Sequence, residues 1–167
     1  MDQSRVRFQD QLVALLPRLR RFARTLTRHV PDADDLLQVA VERALLRFGQ
    51  WRAGTRLDSW MFGIIHNAWI DEVRARHRRD RIMAPEEFGE HVADLASEAP
   101  LQRMSLEAAF EQLPDEQRAA VALVLVDGLA YKEAAAVLNV PIGTVTSRIA
   151  RGRETLQALL GGQEGGQ

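Results

Sequence analysis

The chain has 167 residues, 46% of them hydrophobic and 27% charged, which is enough for one or two small domains with real cores. It contains no cysteine, which excludes disulfides, thiolate metal sites and a cysteine nucleophile. No apolar run is long enough to span a bilayer, and the N-terminus lacks the order of charge, apolar run and cleavage site that marks a signal peptide. We therefore expect a cytoplasmic protein with no membrane insertion.

The net charge of -1 conceals a strong separation of charge along the chain. Residues 1–81 hold 16 Arg and 10 acidic residues, residues 82–118 hold 2 Arg and 9 acidic residues, and residues 119–167 are balanced. The first part therefore suits a polyanion, whereas the middle part repels one. Because this acidic part can fold against a basic domain, we expect the free chain to bind duplex DNA poorly.

Hydrophobic periodicity predicts an all-α protein of two small helical domains joined by an acidic linker. Period-two alternation and hairpin turn signals are scarce, whereas helical stripes recur. We expect helices at about 5–28, 32–49, 59–79, 103–112, 115–127, 131–138 and 142–160. Residues 1–81 would form the first domain, 82–102 the linker, 103–160 the second domain with a helix-turn-helix, and 161–167 a disordered tail.

Three carboxylates, Asp32, Asp34 and Asp35, mark the start of the second predicted helix. The helix dipole favours negative charge at this position. A metal site is the alternative, but the calcium-loop pattern, with its glycine and distal Glu, is absent. We therefore favour capping of the helix N-terminus over metal binding.

The loop at 51–59 combines arginines with an aromatic side chain. It carries Trp51, Arg52, Thr55 and Arg56, and Ser59 is the predicted N-cap of the helix that follows. Arginines beside an aromatic suit single-stranded, splayed-out bases. Trp51 and Trp60 are alternatively core anchors; we favour that role for Trp60 and leave both roles open for Trp51.

The third predicted helix is apolar on two faces and basic at its C-terminal end. Two apolar faces place it between other helices, and Asn67 lies on the narrow polar stripe between them. Its end carries Arg74, Arg76, His77, Arg78, Arg79 and Arg81. This charge exceeds what the helix dipole needs, so it predicts contacts to phosphate.

The segment AYKEAAAVLNVPIGTVTSRIARGRETL, residues 130–156, predicts two helices joined by a tight turn at Asn139-Val140-Pro141. Val145, Ile149 and Leu156 form the buried stripe of the second helix. Its outward face and flanks carry Thr144, Thr146, Ser147, Arg148, Arg151 and Arg153. Such a helix suits the major groove of DNA, although an ordinary surface helix in a small bundle has the same shape.

In this order, the motifs resemble the extracytoplasmic-function (ECF) sigma factors of bacterial RNA polymerase across nearly the whole chain. PDADDLLQVAVERAL is similar to the polymerase-binding helix of that family, with matches at Asp34, Asp35, Leu36, Leu37 and Gln38. Residues 51–79 resemble the loop and helix that melt and read the minus-ten element. Residues 113–156 resemble the region that reads the minus-thirty-five element, with matches at Leu113-Pro114, Gly128, Tyr131, Gly143-Thr144-Val145, Ser147-Arg148 and Arg151.

The resemblance implies a transcription initiation factor with no catalytic residue, metal or cofactor. Core RNA polymerase would bind Asp34, Asp35, Leu36, Gln38 and Arg43. The minus-ten element would bind Arg52, Thr55, Arg56 and Asn67, with DNA backbone contacts from Arg74, Arg76, Arg78 and Arg79. In the minus-thirty-five region, Ser147, Arg151 and Thr146 would approach base edges, whereas Thr144, Arg148 and Arg153 would contact phosphates. An anti-sigma factor is the further partner that the resemblance implies.

Three other functions fit parts of the pattern. A sigma mimic that only titrates an anti-sigma factor would not need both arginine-rich DNA surfaces. A simple DNA-binding regulator with one site leaves the first domain unexplained. An enzyme would need a nucleophile setting, a Gly-rich phosphate loop or a metal site, and the histidines are scattered without metal spacing: His29, His66, His77 and His91.

Overall fold

The computed structural model describes residues 2–83 and 104–161, which contain helices and no β-strand. The first domain consists of α1 (Gln3–Thr27), α2 (Val30–Leu46), a 3-10 turn (Phe48–Gln50) and α3 (Leu57–Met83). The second consists of α4 (Leu106–Glu111), α5 (Asp115–Val121), a π-helical segment (Ala122–Val126), α6 (Tyr131–Leu138) and α7 (Ile142–Leu160). The all-α prediction is confirmed. The predicted linker beyond Met83 and the predicted tail beyond Gly161 lie outside the described residues.

Two helices of the first domain differ from prediction at their ends. α3 begins at Leu57, and Ser59 is inside it: the backbone N–H of Ser59 donates to Asp58 Oδ1 at 2.8 Å. The prediction that Ser59 is the N-cap is therefore wrong, because the preceding carboxylate already occupies the first turn. At its other end α3 continues to Met83, so Ile82 belongs to the helix rather than to the linker.

Of the three carboxylates predicted to cap the N-terminus of α2, only Asp32 lies in the first turn. The N-cap position is His29, which makes no side-chain capping hydrogen bond, and Asp32 is the acidic residue of the first turn. Asp34 lies further along the helix and is near Arg20, at 3.7 Å. Among the described residues no group of acidic or histidine side chains is arranged to hold a metal ion.

Aromatic side chains fill the core of the first domain. Phe8 is fully buried, and its ring centroid lies 5.4 Å from Trp51 and 6.1 Å from Trp60. Deeper in the core, Phe22 meets Phe62 edge-on at 5.1 Å. Both tryptophans are therefore packed against the core, which decides the open question about Trp51.

The helix-turn-helix of the second domain is formed by α6 and α7. α6 ends at Leu138, its C-cap Asn139 has a left-handed φ of 55°, and α7 begins after Pro141. The two predicted ranges of the helix-turn-helix agree with the structure, since Asn and Pro are local stop and start signals. Val145 and Ile149 are buried in the core of the domain.

The two domains pack against each other along two lines of contact. α3 lies between the helices α1 and α2 on one side and α6 of the second domain on the other, while α1 contacts α5 and the π-helical segment. This placement explains why α3 is apolar on two faces. The buried residues of both domains consequently form one continuous hydrophobic cluster.

Candidate nucleic-acid interface

One face of α7 is open to solvent and polar. Thr144, Ser147 and Arg151 line a shallow groove between this helix and the start of α5, and Gln117 closes its other side. Thr146 and Arg153 are exposed on the flanks. The structure thus brings all six residues predicted for the minus-thirty-five element onto or beside one surface, with Arg148 the least exposed of them.

The two exposed hydroxyls of α7 both donate hydrogen bonds to backbone carbonyls of the same helix. Thr146 Oγ1 donates to the carbonyl of Ile142 at 3.1 Å, and Ser147 Oγ donates to the carbonyl of Gly143 at 3.0 Å. Each hydroxyl oxygen keeps lone pairs that can accept a hydrogen bond. In the major groove these oxygens suit the amino groups of adenine or cytosine.

Arg148 is the exception among the predicted residues of α7. Its side chain is 21% exposed, and Nη2 lies 3.6 Å from Glu116 at the start of α5. It lines a cleft between the domains together with His66 and Trp69. Burial in this cleft, and the nearby positive charge of Arg148, lower the pKa of His66.

The loop at the start of α3 is held by an internal turn. The backbone N–H and the hydroxyl of Thr55 both donate to the carbonyl of Arg52, at 3.1 and 2.6 Å. Gly54 lies between them with a φ of 90°, a conformation that favours glycine. Arg52 itself is exposed, so Thr55 shapes the loop while the Arg52 side chain is accessible.

Arg56, at the end of this loop, is bound by carboxylates from both domains. Its guanidinium donates to Asp58 at 3.1 and 2.8 Å and lies 2.9 Å from Glu133 of α6. These hydrogen bonds raise the pKa of Arg56 above its ordinary value. Burial alone would raise the pKa of Asp58, but the bonds from Arg56 and the Ser59 N–H, with the charge of Arg18, lower it.

The predicted phosphate contacts on α3 divide into two groups. Arg76 lies 3.3 Å from Asp32, 3.1 Å from Glu72 and over the Trp69 ring, and Arg79 also reaches Glu72, at 3.4 Å. Exposed positions along the same helix are occupied by Asn67, Arg74 and Arg78. The accessible cations at the C-terminal end of α3 are therefore those of Arg74, Arg78 and Arg81, whereas Arg76 and Arg79 contact acidic neighbours.

A groove between α2 and α3 collects part of the predicted polymerase-binding set. It has a volume of about 440 Å³, and its lining includes Asp35, Leu36 and Arg43. Arg43 is held across the groove by Asp71 at 3.1 Å. Asp34 and Gln38 are exposed on α2 but do not line the groove.

Sequence reasoning missed the polar residues that join the two domains. The carboxylate of Asp127, which is 2% exposed, pairs with Arg18 at 3.3 Å and with Arg21 at 2.9 Å. Arg118, 1% exposed, donates to the carbonyl of Thr25 at 2.7 Å. These partners are separated by 93 to 109 residues, so no local pattern could have paired them.

Two family models match the chain in the positions of the two domains. Residues 12–79 match Sigma-70 region 2, and residues 103–156 match Sigma-70, region 4. The arrangement of a region 2 domain followed by a helix-turn-helix region 4 domain defines a sigma factor.

Similar proteins narrow this class. The chain is 35% identical to the ECF RNA polymerase sigma factor EcfG of Rhodopseudomonas palustris (strain TIE-1), over 91% of this chain and 84% of that protein. It is 38% identical to the ECF RNA polymerase sigma factor SigM of Mycobacterium tuberculosis (strain ATCC 25618 / H37Rv), over 86% and 71%. The sigma factor RpoE from Bartonella quintana, solved in complex with the anti-sigma factor NepR, aligns with a TM-score of 0.76 at 30% identity, over 94% of this chain and 98% of that chain.

This chain belongs to the ECF sigma factors of bacterial RNA polymerase. It binds core RNA polymerase and directs promoter recognition and transcription initiation. None of the helices in the described ranges is long and apolar enough to cross a membrane.

Proposed function

We propose that the chain divides promoter recognition between its domains, residues 1–81 at the minus-ten element and residues 103–160 at the minus-thirty-five element. The observation that carries the proposal is the open polar face of α7, where Thr144, Ser147 and Arg151 line one groove. Ser147 and Arg151 lie one helical turn apart and read base edges there, with Thr146 beside them. Thr144 and Arg153 contact the flanking phosphates, and Arg148 does so once it leaves the cleft beside His66.

At the minus-ten element the loop before α3 captures an unstacked base of the melted strand. The internal turn of Thr55 onto the Arg52 carbonyl presents the loop as a fixed shape, and the side chains of Arg52, Arg56 and Asn67 surround the captured nucleotide. Unstacking a base costs a few kcal/mol, so binding energy from the assembled complex must offset it. Arg74 and Arg78 contact the backbone, and Arg76 and Arg79 join them when they release Glu72.

Core polymerase docks on α2. The groove beside this helix offers an apolar floor at Leu36 and charged walls at Asp35 and Arg43, which suits a helix with a mixed apolar and charged face. Asp34 and Gln38 extend the contact along the exposed side of α2. The chain acts without catalysis, metal or cofactor, in the cytoplasm where polymerase and promoter are.

A dedicated anti-sigma factor is the remaining partner. The relative from Bartonella quintana was solved with such an inhibitor, and two small domains with apolar and arginine-rich surfaces offer a similar target here. The inhibitor competes with polymerase at Asp35 and Leu36. Affinity purification from the native host under stressed and unstressed conditions tests this; a purification that returns polymerase but never a small inhibitor contradicts it.

Reconstitution with core polymerase tests the assignment of the groove. Asp35→Lys reverses one charge on its wall and is expected to weaken holoenzyme assembly, measured by competition with the unchanged chain. Asp10→Lys makes the same change on the exposed surface of α1 and serves as the matched control. Equal assembly of the two variants would place the polymerase contact elsewhere.

A further inference from the structure

The carboxylate of Glu133 in α6 rests on two donors of the first domain. The Arg56 guanidinium lies 3.0 Å from Oε1 and 2.9 Å from Oε2 of this side chain. The hydroxyl of Ser59 donates to Oε2 at 3.1 Å. A guanidinium and a hydroxyl thus converge on the two oxygens of one anion, and both belong to the segment that we assign to the minus-ten element.

The contact is part of a continuous line of alternating charges. Arg56 also binds Asp58, Asp58 binds Arg18 at 3.3 Å, and Arg18 binds Asp127 at 3.3 Å. Both ends of this line, Glu133 and Asp127, belong to the second domain, while the three residues between them belong to the first. Because half of the Arg56 side chain is still exposed, the guanidinium is held in place yet within reach of another anion.

We propose that Arg56 and Ser59 form a binding site for a backbone phosphate of the melted promoter strand, and that Glu133 fills this site until the domains separate. A carboxylate and a phosphate present equivalent oxygens to a guanidinium. The proposal rests on the function proposed above for the loop before α3. Since one guanidinium face cannot hold both anions, closure of the domains and binding of the strand at this site exclude each other.

Glu133→Gln removes the negative charge of this side chain while keeping the local structure of α6. Glu133 Oε1 also accepts a hydrogen bond from the backbone N–H of Ala130 at 3.1 Å, at the start of α6. A glutamine oxygen provides the same capping acceptor, so the variant keeps the helix start, loses the charge that attracts Arg56 and replaces the oxygen that accepts from Ser59. Glu154→Gln is the matched control, because it removes the same charge from an exposed position of the same domain.

The test uses the free full-length chain and a short fluorescent single-stranded DNA of mixed sequence, followed by anisotropy at low salt. When the competent state is only partly populated, the apparent Kd rises by the inverse of its fraction. We expect Glu133→Gln to tighten binding about fivefold, the effect of losing roughly one half-exposed ion pair. Glu154→Gln should leave binding within about twofold of the unchanged chain, as expected for one screened charge remote from the site.

Domain separation provides a second measurement that does not depend on DNA binding. The chain has no natural cysteine, so Gln11→Cys on α1 and Ala136→Cys on α6, both exposed, carry a fluorescent pair. Energy transfer in the absence of DNA should fall in Glu133→Gln and should not change in Glu154→Gln. Transfer that is the same in the unchanged chain and in Glu133→Gln overturns the proposal.

Adding Arg56→Gln separates failure of this proposal from failure of the proposed minus-ten site. The gain from Glu133→Gln should disappear in the double variant, and a gain that persists there, or an equal gain in Glu154→Gln, overturns the phosphate site. The minus-ten assignment has its own measurement, promoter melting by holoenzyme with Arg56→Gln. Normal melting would contradict the minus-ten assignment. If melting is impaired but Glu133→Gln does not change the free chain, only the proposal that Glu133 fills the site is contradicted.

Discussion

The two domains pack their helices by different means. The first uses long helices, of 25, 17 and 27 residues, around aromatic rings such as those of Phe22 and Phe62. The second uses helices of 6 to 19 residues that meet through small side chains, and Gly152 of α7 faces Val121 so closely that an added Cβ would lie 2.7 Å from it. The first domain should therefore be sensitive to lost volume and the second to added volume.

The domains also differ in how they present DNA-binding groups. The outer face of α7 is open, whereas Arg56 of the first domain is bound by Asp58 and Glu133. The groups proposed to bind the two promoter elements are thus unequally accessible. Five tests would break or sharpen these contrasts between the domains.

Phe62→Ala should produce the largest loss of stability. The side chain is fully buried, and the Arg18 guanidinium lies 5.6 Å from its ring centroid. Removing a buried aromatic ring costs about 3–5 kcal/mol, measured as the free energy of unfolding in urea. Phe62→Leu keeps most of the volume and should cost much less; equal losses in both variants would mean that ring volume is not what holds this core.

Arg118→Met tests the polar bond between the domains. Arg118 donates to the carbonyls of Thr25 and Leu113 and to Asp115, and burial lowers its pKa despite that carboxylate. Hydrogen bonds from a charged donor contribute about 1.5–3 kcal/mol, so we expect a loss in that range in urea unfolding. The control is Asp115→Asn, which spares both carbonyl bonds and should cost less; the opposite order would assign the stabilisation to the ion pair.

Arg151→Ala and Arg78→Ala extend the contrast to DNA. Arg151 is exposed on the face of α7 that we propose reads bases, so its loss should cost about 1–3 kcal/mol at a cognate minus-thirty-five element and relax preference at one or two base pairs. Arg78 is exposed near the end of α3, so its loss should weaken binding to all sequences and reduce the salt slope by about one. Transcription from promoter variants over a salt series measures both. An equal loss on every minus-thirty-five variant would make Arg151 a phosphate contact.

Gly152→Ala and Gly143→Ala make the same substitution in α7, but we expect opposite changes in the free energy of unfolding. Alanine in a helix interior is favoured over glycine by about 1 kcal/mol, but at Gly152 the new methyl meets Val121, and overpacking costs about 1–3 kcal/mol. At Gly143 nothing lies within 4 Å. Urea unfolding should show a net loss for Gly152→Ala and a small gain for Gly143→Ala. A gain at both positions would show that the second domain yields to added volume.

The smallest expected effect is a pH dependence carried by His66. Its pKa is lowered in the folded chain by burial and by Arg148, with Asp115 and Glu116 of α5 also lining the cleft. The unfolded chain therefore binds the proton first, so this contribution to stability is full above the ordinary pKa of 6.5 and is lost as the pH falls below it. His66→Gln should flatten the change in unfolding free energy between about pH 7.5 and pH 5.5. If the pH dependence of the unfolding free energy does not change in His66→Gln, a group other than His66 carries it.

Sequence predicted the local features of the fold well. Asn139 and Pro141 punctuate the chain between α6 and α7, and both predicted ranges agree with the structure. The two apolar faces of α3 likewise indicated a helix between others. Such signals lie within a few residues of the feature that they specify, and therefore a single sequence carries them.

Contacts between the domains could not be predicted in the same way. Arg56 and Glu133 are 77 residues apart, and the Glu133 side chain also has a local role at the start of α6. Composition suggested that the acidic part at 82–118 would shield the basic domain. Within the described ranges, two acidic residues that lie outside 82–118, Asp127 and Glu133, form ion pairs with the first domain. Within 82–118, Asp115 is the described residue that does so, at 3.1 Å from Arg28.

The π-helical segment at Ala122–Val126 holds one more residue per turn than an α-helix does. The N–H of Asp127 accordingly bonds to the carbonyl of Ala122, five positions earlier, at 2.9 Å. Deleting Leu125, whose side chain is 44% exposed, would let the segment return to α-helical spacing, with the N–H of Asp127 bonding to the same carbonyl of Ala122, now four positions earlier. The carboxylate would then still face Arg18 and Arg21, because the wide turn had absorbed the extra residue. A difference of one residue in the length of this turn therefore leaves the contacts between the domains in place.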